Sequence, residues 1–125
     1  MEPLFHGTLY RVEKKMKQIN IAEEYTITPG ARYKKDGAFS GEDFREKYLE
    51  PLFVTGDKSK ITIVLDGTMG YATSFLEESF GGLVRKFGDK YTNEEIFNRF
   101  IFISDEEPAC IDEIKQYILE ARYSK

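Results

Sequence analysis

The run Ile-Thr-Ile-Val-Leu-Asp at residues 61–66 constrains this chain more than any other stretch. It is apolar almost throughout, rich in β-branched residues, preceded by a polar turn and closed by an acid. A run of that kind predicts a strand buried on both faces, central in a sheet that helices cover.

The flanking pattern changes period around this strand. Residues 4–12 and 17–27 alternate and branch at Cβ in the manner of short strands. Residues 28–39 gather Pro29, Gly30 and Gly37 into a loop or tight hairpin. Ser40 and Asp43 form a capping-box pattern that opens a helix presenting Phe44, Tyr48, Leu49 and Leu52, and Pro51 should end or kink it near Leu49. Ser74 as N-cap with Glu77 at N3 predicts the next helix. Its apolar face is Leu76, Phe80, Leu83 and Phe87, widened by Phe75, Ser79 and Val84, with Gly88 as the stop. Thr92 and Glu95 predict a short helix, residues 99–104 a strand, and Pro108 the first turn of a last helix carrying Ile111, Ile114, Ile118 and Ala121 on one face.

Alternation of strands and helices predicts one α/β domain, a central mixed sheet with about three to four helices packed on it. N-terminal strands should occupy about 1–28 and the core about 29–121. With 125 residues there is room for a single hydrophobic core.

Charge and composition narrow the function. A net charge of −4 argues against a general nucleic-acid binder, since only Arg32, Tyr33, Lys34 and Lys35 offer a local basic patch. The one cysteine, Cys110, excludes an internal disulfide and any multi-cysteine metal site, and the one histidine, His6, has no evident co-ligands. No apolar run approaches the roughly 20 residues of a membrane span, and no secretory leader opens the chain. The expectation is a soluble, cytoplasmic protein, prokaryotic in style, that needs neither metal nor cofactor.

Catalysis finds little support. Leu-Asp-Gly-Thr at 65–68 resembles the end of a haloacid-dehalogenase-type phosphatase loop, but Val64 stands where that chemistry needs a nucleophilic aspartate. No catalytic residue is assigned. Asp66 at the strand end reads either as a cap for backbone amides or as a pocket wall. In the second case Asp66 and Thr68 would line a small-molecule or nucleotide site, with Arg32 and Lys34 facing an anion.

One helix face stands out. Glu78, Gly81, Gly82 and Arg85 recur at i, i+3, i+4 and i+7, away from the apolar stripe. Each glycine costs about 1 kcal/mol relative to alanine in mid-helix. Another backbone, the chain's own or a partner's, should therefore approach closely there.

Residues 29–46 (PGARYKKDGAFSGEDFRE), 65–85 (LDGTMGYATSFLEESFGGLVR) and 113–121 (EIKQYILEA) resemble the STAS-like domain-of-unknown-function family. That family is named for its similarity to STAS domains of sulphate transporters and anti-sigma factor antagonists. The resemblance runs from about Ile19 to Ala121 and implies a small β/α domain that works by binding a protein partner. In the antagonist branch the partner is an ATP-dependent kinase, which phosphorylates a serine at the start of the second helix and is thereby released. By position that serine is Ser74, with Thr73 just before it, although Phe75 stands where the antagonists have glycine. Ser74 thus has two readings, helix cap and phosphoacceptor. The resemblance implies a non-catalytic regulatory module whose contact surface takes in Thr73, Ser74, Glu78, Gly81, Gly82, Arg85 and the 31–37 loop. Homodimerisation is left open.

Overall fold

A computed structural model of the chain describes residues 17–124. The strand expected at 4–12 lies outside them. Three strands, β1 (Lys17–Asn20), β2 (Ile61–Val64) and β3 (Phe100–Ile103), form a sheet in the order β1-β2-β3. Both pairings are parallel, with Lys17 opposite Ile61 and Ile61 opposite Phe100. Over the described residues the sheet is therefore parallel rather than mixed, because every connection between strands carries a helix. The central strand alternates: Ile61 and Ile63 are buried in the core, whereas Thr62 and Val64 are half-buried.

β1 is shorter than the sequence pattern predicts, and a local contest explains why. Asn20 accepts the Glu23 N–H at 3.1 Å, and its own N–H donates to Glu24 at 2.9 Å. This capping turns the chain out of the strand into the one-turn helix α1 (Ile21–Glu24).

The second helix, α2, spans 41–54 in three segments: Gly41–Phe44, a wide i→i+5 turn over Arg45–Leu49, and Glu50–Val54. Ser40 caps it as expected, accepting the Asp43 N–H at 3.0 Å. Pro51 does not end this helix, which runs on to Val54 after the widened turn. The third helix, α3, repeats the design over 73–87, with its wide turn at Glu77–Gly81. α4 (Asn93–Asn98) opens on the complete Thr92–Glu95 capping box, and α5 (Ala109–Glu120) closes the fold. The Asn93 side chain then caps α5 from outside, donating to the carbonyls of Ile118 and Ala121 at 2.8 and 2.9 Å. Among the described residues no helix is long and apolar enough to cross a membrane.

The core joins the inward face of the sheet to α2, α3 and α5. Leu76, Phe80, Leu83 and Phe87 are all buried, as are Phe44 and Leu49 of α2 and Ile114 and Ile118 of α5. Rings fill two ends of it. Tyr25, Phe44, Tyr48 and Phe75 cluster at one, and Phe53, Phe87 and Phe100 at the other.

Between α2 and α3 the seam is polar. Arg45, buried, donates to the Glu78 carbonyl at 2.7 Å, the Glu78 carboxylate at 2.8 Å and Glu50 at 2.9 Å. Its guanidinium occupies the space that a side chain at Gly82 would need. A Cβ there would lie 2.2 Å from Nη1. The backbones also close together at Gly41, where a Cβ would meet the Phe75 carbonyl at 2.6 Å.

Gly82→Ala tests this packing. Alanine gains about 1 kcal/mol of helix propensity, but displacing Arg45 breaks its buried ion pair with Glu78, which keeps only the longer contacts to Arg32 and Arg85, at about 3–5 kcal/mol for a broken buried pair. Urea denaturation is expected to show a net loss of about 2–4 kcal/mol, the difference of those two terms. A stabilised variant would show that Arg45 is free to move aside.

Candidate functional site

In a parallel sheet, the loops after the strands' carboxyl ends gather at one edge, the usual place for a site in α/β folds. Here those loops follow β1, β2 and β3. The β2 loop is built by its turn residues. Gly67 and Gly70 adopt positive φ of 97° and 114°, conformations that side chains resist. Thr68 accepts the Gly70 N–H at 3.2 Å, and Tyr71 reaches back to donate to the Leu65 carbonyl at 2.8 Å. Burial holds the Tyr71 phenol well above its ordinary range.

Asp66 is a strut. Its two carboxylate oxygens accept the N–H groups of Asp105 and Glu106 at 3.0 and 2.9 Å. Glu106 returns the contact by accepting the Gly67 N–H at 2.9 Å. The β2 and β3 loops are thereby locked together around a crevice of about 230 Å³ lined by Asp66, Thr68, Tyr71, Ser104 and Cys110. Burial, with Glu107 and Glu113 nearby, pushes the Cys110 thiol up to about 11, so it stays protonated at neutral pH. Among the described residues no group of three or more His, Cys, Asp or Glu side chains could hold a metal ion.

The β1 loop joins the same edge. The Met69 N–H donates to the Ile27 carbonyl at 2.8 Å, and Ala72 N–H to Pro29 at 3.3 Å. Both joined residues leave an apolar side chain in solvent, Met69 at 80% exposure and Ile27 at 51%. Neither was singled out by sequence pattern. A methionine one residue from a glycine in a loop is visible there, but its pairing with Ile27 is not.

The start of α3 corrects the expected cap. Thr73 is the first helical residue, and the N-cap is Ala72, which has no side chain to offer. Ser74 instead donates its hydroxyl to the Gly30 carbonyl at 3.3 Å. Glu77, the expected box partner, is drawn away by two arginines. Arg32 reaches it at 2.6 Å and Arg85 at 2.8 Å. The Thr73 hydroxyl is exposed and makes no hydrogen bond among the described residues.

The other expected residues divide. Glu78, Gly81 and Gly82 are buried, so the face expected to receive a partner is closed by the chain itself. Arg45 covers Gly82, and the Tyr117 carbonyl of α5 lies 3.5 Å from a Cβ built on Gly81. Arg85 stays half-exposed on Glu77 and Glu78. Nor do Arg32 and Lys34 join Asp66 and Thr68 in a pocket. Arg32 is tied to Glu77 and Glu78, and Lys34 to Glu46 at 2.6 Å.

A family model described as "STAS-like domain of unknown function (DUF4325)" matches residues 40–109, more than half of the chain. The chain belongs to that family. Neither a curated protein nor a solved structure matches it. The matched span of the STAS-like domain runs from the Ser40 cap to the first turn of α5, and so contains both loops that Asp66 joins.

Two measurements check this geometry. Ala72 has N-cap backbone angles and an exposed side chain, so Ala72→Asp should stabilise the fold by about 0.5–2 kcal/mol through a new cap. An unchanged urea midpoint would remove Ala72 from the cap position. Arg85 first, and Arg32 with it, hold the Glu77 carboxyl below its ordinary value of 4.5. A depressed carboxylate contributes stability that is present above that ordinary value and lost as pH falls through the lower folded one. Glu77→Gln should therefore be less stable than the parent near neutrality, and the gap should shrink on acidification below about 4.5. A gap independent of pH would contradict the assignment.

Proposed function

We propose that this STAS-like domain is a non-catalytic protein-interaction module, with its contact surface at the Ile27–Met69 tip and the adjoining start of α3. The observation that carries this reading is the pair itself. Single exposed apolar side chains are ordinary, but two held together by a backbone hydrogen bond on a braced loop form a preorganised patch. Methionine is also over-represented at interfaces, where its flexible thioether adapts to a partner.

The groups around the crevice favour binding over catalysis. Both Asp66 oxygens are engaged on backbone amides, and the Cys110 thiol is protonated. Thr73 supplies a means of regulation. Phosphate on its hydroxyl would place close to two negative charges beside the apolar tip and disrupt a docked partner. Ser74 is the weaker acceptor, because its hydroxyl already serves Gly30. A kinase-like ATPase is the partner that fits such switching.

Met69→Asp decides the matter. Nothing in the core depends on this side chain, so the melting temperature should be unchanged. A partner captured by the parent protein, then purified and titrated directly, should lose about tenfold or more in affinity, at least 1.4 kcal/mol. Undiminished binding would move the interface elsewhere.

A further inference from the structure

At the opposite end of the sheet, where β2 and β3 begin, Lys58, Lys60, Tyr91, Glu95, Asn98 and Arg99 line a hollow of about 220 Å³. We propose that this hollow is a binding site for a small phosphate-type dianion, held by Lys58, Lys60 and Arg99. It is separate from the Ile27–Met69 tip and independent of the reading given above.

The argument starts from Arg99. Arg32, Arg45 and Arg85 each rest on glutamates. Arg99 forms no salt bridge among the described residues, and Asp57 is the carboxylate near enough to act on its charge. Its Nε donates to the Ser59 carbonyl at 3.0 Å and Nη2 to the Leu52 carbonyl at 3.2 Å, while the group lies 4.8 Å from the centre of the Phe53 ring. Carbonyls and a ring satisfy donors without neutralising charge. Burial accordingly pulls Arg99 below its ordinary range, whereas hydrogen bonding to Glu77 raises Arg32 and Arg85.

Its neighbours repeat the pattern. Lys60 donates to the Asn98 carbonyl, another neutral acceptor. Lys58 is exposed, with no hydrogen bond or ion pair among the described residues. The nearby acids bond neutral donors, which leave their charge in place. Asp57 accepts from the Ser59 amide and hydroxyl at 2.8 and 2.7 Å, and Glu95 accepts the Thr92 N–H at 2.8 Å. The lining sets Lys58, Lys60 and Arg99 against Glu95, an excess of two positive charges, with Asp57 outside it and Nη1 of Arg99 left to donate.

The ligand class follows. A dianion matches that excess. Tetrahedral phosphate oxygens can meet three cations arriving from different elements, whereas a planar carboxylate accepts within one plane. Here Lys58 and Lys60 come from the turn before β2 and Arg99 from the link into β3. Tyr91 gives the hollow an aromatic wall, against which the organic part of a phosphomonoester could lie.

The test is titration of the isotopically labelled full chain with inorganic phosphate, and separately with phenyl phosphate, at constant ionic strength. Saturable amide and Arg99 Nε shifts confined to residues around 58–60 and 99 are expected. Tighter binding of the ester would assign an organic phosphate seated on Tyr91, and equal binding the inorganic anion. Lys58→Ala/Lys60→Ala should weaken binding by about tenfold or more with a cooperative melt retained. Should that variant fail to fold, Lys58→Ala alone decides, since it removes no contact of the described structure. Shifts that never saturate, that appear equally around Lys34 and Lys35, or that survive loss of Lys58 would overturn the proposal.

Discussion

Placing a guanidinium between two helices is costly unless every donor finds a strong acceptor, and Arg45 governs how α2 and α3 meet. It needs Glu78 from one helix and Glu50 from its own, and it needs Gly82 to leave room. The wide turns of the two helices fall at this seam, with Arg45 beginning one and Glu78 lying within the other. A widened turn re-aims side chains relative to a regular helix and commonly marks a constrained position. Removing Arg45 would take from buried Glu78 its shortest ion pair and leave it the longer contacts to Arg32 and Arg85, so the seam favours the register that keeps the pair. The apolar core supplies the driving force, but it does not specify that register.

What the sequence disclosed depended on whether a signal was local. The Ser40–Asp43 and Thr92–Glu95 patterns act within four residues, and both serine and threonine cap as read. Ser74 and Glu77 carry the same pattern and do not, because Gly30, Arg32 and Arg85 compete for them. Two of those three competitors lie more than forty residues away, beyond any local pattern. The paired glycines were legible as a demand for close approach. That a buried arginine on another helix meets the demand was not. Asp66 allowed two readings and meets part of both: it caps the β3 loop, and with Thr68 it lines a crevice that Arg32 and Lys34 do not join. Ile27 and Met69 come together only through a loop-to-loop hydrogen bond, so no periodicity could have paired them.

The two ends of the sheet differ in character. The carboxyl end is braced by backbone hydrogen bonds, rimmed by Asp105, Glu106 and Glu107, and carries exposed apolar side chains. The amino end collects cations whose partners are neutral. Both follow from parallel strands, which send all their exits to one edge and all their entrances to the other.

The parallel register also bears on how the chain reaches this state. Lys17 must find Ile61, and Ile61 must find Phe100, so no two strands are joined by a simple hairpin. Every strand pairing closes a loop of about forty residues, an entropic cost that is met before any ladder forms. Such topologies fold more slowly than those built from neighbouring contacts. The central strand keeps both edges open until β1 and β3 pair with it. During synthesis, β2 would leave the ribosome well before β3 could cover it. The polar residues 56–60 just ahead of it are then the nearby feature that keeps so sticky a segment in solution.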